Sequence, residues 1–537
     1  MTSTLPAVTA PKVPAQRQPV PEARSTDRTT SKSKRPDLLL CGALLLAILV
    51  VQGWNIADYP TLSDDEGTYL AQAWAVQEGK GLAHYTYWYD HPPLGWIQLA
   101  LLTWIPKLLS PDSMTVGSMR VMMLLISGIS AVLVYVLGRR LSLPRWAAGL
   151  GMALFGLSPL SVVLQREIFL DNLAVMWTLL AFTLAASPSR HLWHHFGAGI
   201  AAATAVLTKE TMLFVLPAVF VTMWRHSHRE TRKFALTGAI TACALIGLSY
   251  PLFALLKGEL LPGSGHVSLW DGVKYQMTRP GSGFILDAGS GSHGVLTSWL
   301  YYDRVLPLGG LAGALLLLAT WRWSVTARAL AGPSLAVGIL ALVAMRPSGY
   351  LPAMYIIQAL PFLALVLAGG TASIAHAVLN RLRWVGRYGI AVLLAVAACV
   401  YVVPRWYDGD RTALTADANA PYRAAAKWLA TEVAQPEKTR VLVDDALWLD
   451  LVHSGYRPGL GAIWFYKADL DPAVTKTMPR GWRDLDYVVA SPTVRRDAVD
   501  LPNVRAAVQH STPVAVFGTG ADRIEIRQVQ TAPGGVR

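Results

Sequence analysis

The stretch Asp64–Trp96 reads DDEGTYLAQAWAVQEGKGLAHYTYWYDHPPLGW and is a polar interruption between hydrophobic runs. Three consecutive carboxylates open it, and the motif DHPP (residues 90–93) closes it after an aromatic run. Adjacent ionised carboxylates repel one another, so the cluster is a candidate acid/base or metal site. The plain alternative is a solvated loop whose acids cap a short helix near Thr68. The whole constellation favours a functional site.

The composition is that of a membrane protein. Of the 537 residues only 15% are charged, and the mean hydropathy is +0.37, which predicts a polytopic protein with soluble appendages. The formal charge of +13 is concentrated in the N-terminal tail and in short loops, because residues 404–537 hold nearly equal numbers of acids and bases. This distribution of charge follows the positive-inside rule of membrane proteins, and it does not indicate a nucleic-acid partner. All three cysteines lie in apolar runs, so no disulfide framework is suggested.

The chain divides into three parts. Residues 1–36 are rich in Pro, Ser, Thr and basic side chains, which predicts a disordered basic cytoplasmic tail. A long tail and the lack of a cleavage pattern argue against a signal peptide, so the first run is interpreted as an uncleaved span. Residues 37–403 form the membrane domain and residues 404–537 a soluble domain. The predicted spans, about eleven, lie at 38–56, 116–137, 145–163, 168–186, 195–209, 211–224, 234–256, 305–321, 327–345, 350–369 and 388–403.

On this topology the basic loops 225–233, 322–328 and 381–387 face the cytoplasm. The acidic stretch 64–96 and the C-terminal domain then lie outside a multi-pass plasma-membrane protein. The segment 94–109 is too short to span and is predicted to lie in the interface.

Two further regions carry local predictions. The Gly/Ser-rich loop 257–304 is interpreted as a lid over a site, because its aromatic and charged residues are unusual for a plain connector. The C-terminal part is predicted to be a small α/β domain. Its predicted helices are 422–433 and 447–453, and its predicted strands are 440–443, 487–490, 514–517 and 523–527.

Charged residues at span ends are functional suspects. Arg166 and Asp171 would converge on one ligand only if a helix begins between them, and their plain interpretation is a snorkelling arginine and a helix-start aspartate. The pair Lys209-Glu210 could equally be a tight turn between two spans. Acids and bases on one side of the membrane suit an anionic lipid head group that meets a hydroxyl-bearing acceptor.

These motifs carry a family resemblance. The acidic pair at 65–66, the motif HPPL at 91–94 and the Arg-to-Asp stretch at 166–171 resemble the protein O-mannosyltransferase and aminoarabinose transferase superfamily. These are GT-C glycosyltransferases that use polyprenyl-phosphate sugars. The sequence LTK at 207–209 is similar to that of the aminoarabinose transferases, which have Glu-Lys where this chain has Asp-His at 90–91, so this chain is nearer the mannosyltransferase pattern.

The resemblance implies a polytopic α-helical membrane protein of GT-C type with a C-terminal extracytoplasmic α/β domain. It implies transfer of a sugar from a polyprenyl-phosphate donor to a hydroxyl acceptor, with inversion of the anomeric carbon. Asp65 would be the base, with Glu66 or Asp64 positioning it. Cations would stabilise the departing phosphate. The candidates for donor and phosphate binding are His91, Arg166, Asp171, Lys209, Arg279 and Arg304, with Asp90 in support.

No organic cofactor is implied. Some members of the family bind a divalent ion near this loop, and Asp90, His266 and His293 could supply ligands for one. The alternative function is a transporter or flippase of lipid-linked sugars, which would place ionisable residues or broken helices near the bilayer midplane. A non-catalytic scaffold that presents the C-terminal domain would leave the acidic stretch unexplained.

Overall fold

The computed structural model describes residues 34–81, 89–109, 115–264, 266–379 and 384–530. The predicted disordered tail falls almost wholly outside these ranges. Three members of the aromatic run, Tyr85, Tyr87 and Trp88, also lie outside them.

Apolar runs form helices because a helix satisfies its own backbone hydrogen bonds where water is absent. Each of the eleven predicted runs overlaps a helix or a pair of consecutive helices. The helices of this part are α1 (Lys34–Gly53), α2 (Asp64–Gln77), α3 (Leu94–Leu102), α4 (Trp104–Leu109), α5 (Val116–Met119), α6 (Met123–Arg140), α7 (Arg145–Leu157), α8 (Pro159–Arg166), α9 (Leu170–Ala185), α10 (Leu192–Thr208), α11 (Leu216–His226), α12 (Arg232–Gly247), α13 (Ser249–Leu256), α14 (Leu269–Thr278), α15 (Gly291–Tyr302), α16 (Val305–Ala319), α17 (Val325–Ala329), α18 (Ala331–Ala344), α19 (Leu360–Leu379) and α20 (Trp384–Thr415). Short 3₁₀ helices lie at Arg120–Met122, Glu210–Val215 and Ala353–Gln358.

Helix length separates the elements that can cross a bilayer from the shorter ones. Within the described residues four helices are long and apolar enough to do so: Arg35–Gly53, Val116–Arg140, Arg232–Leu256 and Leu360–Ala377. The count rises to six if each bent pair is one span, namely α7 with α8 (58°) and α15 with α16 (103°). The chain is therefore a multi-pass helical protein, and the segment 94–109 is two short helices that break at Thr103.

Small residues let the helices approach closely. A Cβ atom on Gly199 of α10 would lie 2.3 Å from the carbonyl oxygen of Ala239 on α12. A Cβ atom on Gly313 of α16 would lie 2.7 Å from the carbonyl oxygen of Val366 on α19. Backbone contact of this kind is typical of packed membrane helices, where dispersion contacts replace the hydrophobic drive.

The predicted lid contains two helices. Ser268 caps α14 and Ser290 caps α15, and each serine hydroxyl accepts a hydrogen bond from a backbone N–H three residues on, at 3.0 Å. Polar side chains in this Gly/Ser-rich segment thus cap helices, and the segment is not an irregular loop.

The C-terminal domain contains a five-stranded sheet in the order β2-β1-β3-β5-β4. The strands β1, β2 and β3 are parallel, while β5 pairs antiparallel with β3 and β4. The four predicted strands are present, and the structure adds β2. Its elements are α21 (Ala420–Thr431), β1 (Val441–Val443), α22 (Asp445–His453), β2 (Ala462–Trp464), α23 (Lys467–Leu470), α24 (Pro472–Lys476), a 3₁₀ helix (Gly481–Asp484), β3 (Tyr487–Ala490), α25 (Pro492–Asp497), α26 (Pro502–Gln509), β4 (Ser511–Phe517), a 3₁₀ helix (Gly520–Asp522) and β5 (Ile524–Val529).

The two parts of the chain are joined by polar contacts between the end of α20 and the segment that follows α1. Asn55 Nδ2 donates to the carbonyl oxygens of Ala413 (3.2 Å) and Ala416 (2.8 Å). Asn419 Nδ2 donates to the carbonyl oxygen of Pro60 at 3.0 Å, and Asn419 Oδ1 accepts from the N–H of Leu62 at 3.0 Å. These bonds place the C-terminal domain beside α2, which begins next to them.

Candidate active site

The start of α2 is fixed by a capping box. Ser63 Oγ accepts from the N–H of Glu66 at 3.4 Å, and the Glu66 carboxylate accepts from the N–H of Ser63 at 3.2 Å. Successive residues of a helix point about 100° apart. The carboxylates of Asp64, Asp65 and Glu66 therefore have three different surroundings.

Glu66 is fully buried in an ion pair with Arg120, which is equally buried. Arg120 donates to both carboxylate oxygens, at 2.8 and 2.6 Å, and also to the carbonyl oxygen of Pro60 at 2.7 Å. The N–H of Ile168 adds a further bond to Glu66 at 3.0 Å. All of its acceptor positions face protein donors, so Glu66 holds α2 against the membrane helices.

Asp65 is half-buried, and within the described residues its carboxylate accepts no hydrogen bond. Burial raises the pKa of Asp65; the charge of Lys209 opposes this, and the charges of Asp90 and Asp171 add to it. The net pKa lies above the ordinary value for aspartate. A carboxylate with a raised pKa and free lone pairs is suited to accept a proton.

Lys209 and His91 face Asp65. Lys209 Nζ lies 2.9 Å from His91 Nε2, and His91 Nδ1 lies 3.0 Å from the carboxylate of Glu210. An ammonium group has only donors, so Nε2 accepts and the imidazole proton is on Nδ1, facing Glu210. The carboxylates of Asp171 and Glu210 lie close enough to Lys209 to stabilise its ammonium charge. Lys209 is therefore a fixed cation.

Asp171 completes this group from α9. Its Oδ2 lies 3.6 Å from Lys209 Nζ, and its Oδ1 accepts from Gln358 Nε2 at 2.8 Å. The same amide nitrogen donates to Thr211 Oγ1 at 2.6 Å. Asp171 thus orients the lysine, while Asp90 stands beside the group and accepts from the N–H of His91 at 3.0 Å.

Asp64 faces the C-terminal domain. Its carboxyl group is hydrogen-bonded to Thr493 and lies near Asp444. One turn on, Thr68 donates to Asp445 Oδ2, which also accepts from Tyr466 at 3.2 Å. Burial and the charge of Asp444 raise the pKa of Asp64 to about 7. Burial and the charge of Asp64 also raise the pKa of Asp445 well above its ordinary value.

The Asp64 contact predicts a pH dependence. A carboxyl whose pKa rises on folding contributes stability below its unfolded pKa of about 3.8 and loses it as pH rises through about 7. Asp64→Asn removes this titration, so we expect the variant to lose about 1–2 °C less in Tm than wild type between pH 6 and 8.5. The measurement is thermal unfolding in detergent at several pH values. Exposed Asp287→Asn is the control and should follow wild type; equal slopes for all three proteins would contradict the prediction.

An apolar cavity of about 510 Å³ lies beside the lysine. Tyr250 lines it and donates from its hydroxyl to the carbonyl oxygen of His91 at 3.2 Å. Pro93 and Leu207, next to the polar group in sequence, line it as well. The cavity therefore borders the segments that carry His91 and Lys209.

Arg166 lies elsewhere. A helix does begin between Arg166 and Asp171, yet the two side chains do not converge. Arg166 is fully buried, and its Nη atoms donate to the carbonyl oxygens of Val51 (2.7 Å), Trp54 (3.0 Å) and Ala413 (2.8 Å). Because its guanidinium donates to backbone carbonyls, Arg166 joins α1, α8 and α20. It is therefore not a residue of the donor site.

The remaining predicted residues are dispersed. The Arg279 guanidinium stacks over Tyr350 at 3.9 Å, and Arg304 is exposed, with its Nε donating to the carbonyl oxygen of Leu300 on α15. His266 and His293 each contact a backbone carbonyl. In the parts of the chain that the structure describes, no three His, Cys, Asp or Glu side chains form a group that could hold a metal ion. Asp90, His266 and His293 are accordingly not assembled into a metal site.

Sequence reasoning missed three partners of the site: Arg120, Gln358 and Asp445. Arg120 had one available signal, a lone arginine at the start of a predicted span, where charge is costly. Gln358 and Asp445 lie 187 and 377 positions from the residues they contact. Nothing local marks them.

Comparison with known proteins agrees with this geometry. Residues 86–257 match the family model for dolichyl-phosphate-mannose-protein mannosyltransferase. ArnT from Cupriavidus metallidurans, solved with bound undecaprenyl phosphate, aligns with a TM-score of 0.55 and 16% identity over 93% of this chain and 99% of that chain. The oligosaccharyltransferase of Archaeoglobus fulgidus aligns with a TM-score of 0.54 and 14% identity over 90% and 74%. No curated protein matches the sequence.

At these identities the structural matches show the fold, and the family model covers the segment that holds His91, Asp171 and Lys209. The resemblance stated from the motifs is thereby confirmed. The chain is a membrane glycosyltransferase of the GT-C fold, and its residues 86–257 are similar to the dolichyl-phosphate-mannose-protein mannosyltransferases.

Proposed function

We propose that the protein transfers a sugar from a polyprenyl-phosphate donor to a hydroxyl acceptor at the extracytoplasmic face of the plasma membrane. The observation that carries this is the placement of Asp65, a carboxylate with no hydrogen-bond donor among the described residues, opposite the fixed cation Lys209. The apolar cavity beside Lys209 suits a polyprenyl chain, which would bring its phosphate to the lysine.

The chemistry follows from these positions. Asp65 takes the proton of the acceptor hydroxyl as its oxygen bonds to the anomeric carbon. The bond from that carbon to the phosphate oxygen breaks, and its electron pair stays on the phosphate. Lys209, oriented by Asp171 and His91, stabilises this charge. Attack and departure on opposite faces invert the anomeric carbon. Lys209 supplies the charge at the leaving group, and we propose that no metal ion is required.

The same proposal includes the orientation of the chain in the membrane. The predicted cytoplasmic loops 225–233 and 322–328 lie at the ends of α11 and α16, whereas the site lies where α2 meets the C-terminal domain. With about eleven spans and a cytoplasmic N-terminus, that domain is extracytoplasmic. Its contact with α2 places it over the acceptor side of Asp65.

Lys209→Met provides the test. Membranes that contain the full chain are incubated with a panel of radiolabelled polyprenyl-phosphate sugars, with mannose and arabinose among them, and labelled product is measured. We expect one donor to be used by wild type and kcat/KM to fall about 10²–10³-fold in the variant, because the leaving phosphate loses its cation.

Lys274→Met is the matched control, because Lys274 is an exposed lysine of α14 that should leave transfer unchanged. Transfer by Lys209→Met at the wild-type rate would contradict the assignment. If wild type used no donor but moved labelled lipid across sealed vesicles, the flippase would replace the transferase.

A further inference from the structure

A second large groove, of about 830 Å³, lies between α11, α16 and α18. The residues that line it do not overlap those of the active site: it is lined by Val221 of α11 and by residues 331–341 of α18, whereas Lys209 precedes α11 and Gln358 follows α18. Its walls are mainly leucine and alanine. The volume is that of a ligand site rather than a packing defect.

The mouth of the groove is basic and aromatic. Trp321, Arg322 and Trp323 line it in the turn after α16. The Arg225 guanidinium stacks on the Trp321 ring at 4.9 Å, and Arg328 Nη1 donates to the carbonyl oxygen of Arg322 at 3.1 Å. Arg225 and Arg328 lie close enough to repel each other electrostatically. Arg322 thus lines the opening, and Arg225 and Arg328 contact residues that line it.

These cations have no counter-charge among the residues that the structure describes. In the described part of the chain, none of the three arginines pairs with a carboxylate. The positive-inside rule accounts for arginines at this end of the spans, yet it does not require them to gather at one groove. Converging like charges repel unless an anion binds between them. Basic openings between membrane helices with tryptophan beside them match the head-group level of a bilayer.

We propose that this groove binds an anionic phospholipid of the bilayer, with the phosphate held by Arg225, Arg322 and Arg328 and an acyl chain along α16 and α18. The apolar walls continue directly from the basic mouth, as one lipid molecule requires. Ser334 Oγ, on the groove wall, has no hydrogen-bond partner among the described residues. A lipid ester carbonyl there would be its acceptor.

Native mass spectrometry of the detergent-purified full chain tests this, with titration of phosphatidylglycerol and of phosphatidylcholine with the same acyl chains. Wild type should bind phosphatidylglycerol at least about tenfold more tightly. The double variant Arg225→Gln/Arg322→Gln should lose that preference. The charge-matched control Arg229→Gln/Lys233→Gln removes two exposed cations of the neighbouring loop and should keep it.

A second variant tests the walls without a change of charge. A Cβ on Gly338, which lines the groove, meets nothing within 4 Å, so Gly338→Phe extends into the groove without a backbone clash. It should lose binding at least tenfold, while Gly238→Phe, equally open on α12, should not. Unchanged binding in either groove variant, or an equal loss in its control, overturns the proposal. Thermal unfolding of each variant shows that the fold is kept.

Discussion

Asp65→Asn is expected to reduce kcat for sugar transfer about 10²–10⁴-fold while the stability of the protein stays within about 0.5 kcal/mol of wild type. Asparagine has the shape of aspartate but does not accept a proton at neutral pH. Because no described residue donates a hydrogen bond to the Asp65 carboxylate, the substitution breaks no bond in the fold. The variant should therefore lose activity while it keeps its stability.

The measurement is single-turnover transfer with the donor identified from the panel, together with thermal unfolding in the same detergent. The neighbour Asp64→Asn is the control, because Asp64 faces the C-terminal domain and should keep transfer within a few fold. Wild-type kcat/KM should rise as pH passes the raised pKa of Asp65, since only the ionised carboxylate is a base. Full transfer by Asp65→Asn would remove Asp65 from the mechanism.

Arg120→Met should have the largest effect on stability, a loss of about 3–5 kcal/mol. The variant leaves the fully buried Glu66 without the partner that donates to both of its oxygens. Removing both charges in Arg120→Met/Glu66→Gln should recover part of the loss, because the second change removes the unpaired charge. Arg139→Met, which breaks a half-exposed pair with Asp37, should cost about 1 kcal/mol or less.

Membrane proteins often unfold irreversibly, so the rate of inactivation at one raised temperature is the appropriate readout. The three variants and wild type are compared in the same detergent. An Arg120→Met protein that inactivates no faster than Arg139→Met would show that the buried pair does not hold α2. The double variant then separates loss of the charge pair from loss of packing.

Features that follow a pattern along the sequence were predictable, whereas contacts between pairs of distant residues were not. Each predicted apolar run overlaps a helix, since burial and backbone satisfaction act along contiguous sequence, but α15, which forms a bent pair with α16, lies in the predicted loop 257–304. The strand Ala462–Trp464 was missed because three residues carry too little pattern. For the acidic cluster the sequence predicted a functional site but not that its three carboxylates have different roles. Those roles differ because successive residues of a helix point in different directions.

The contacts of the other predicted site residues depend on partners that lie far away in the sequence. Arg166 looked like a phosphate ligand from its place at a span end, yet its acceptors are backbone carbonyls up to 247 positions away. Lys209 and His91, 118 positions apart, were both selected from their motifs, and the structure brings them into contact. A motif can therefore identify a residue worth attention, while its partners depend on the fold.

The bonds between Asn55 and the end of α20 have a consequence for biosynthesis. Their acceptors lie 358 and 361 positions downstream. At typical rates of translation the ribosome makes the second half of this junction roughly 20–70 s after the first. Until then the segment that leads into α2 lacks the acceptors that fix it. The segment that leads into α2 is thus fixed late, when the membrane helices are already made, and we expect a product truncated before this junction to be inactive.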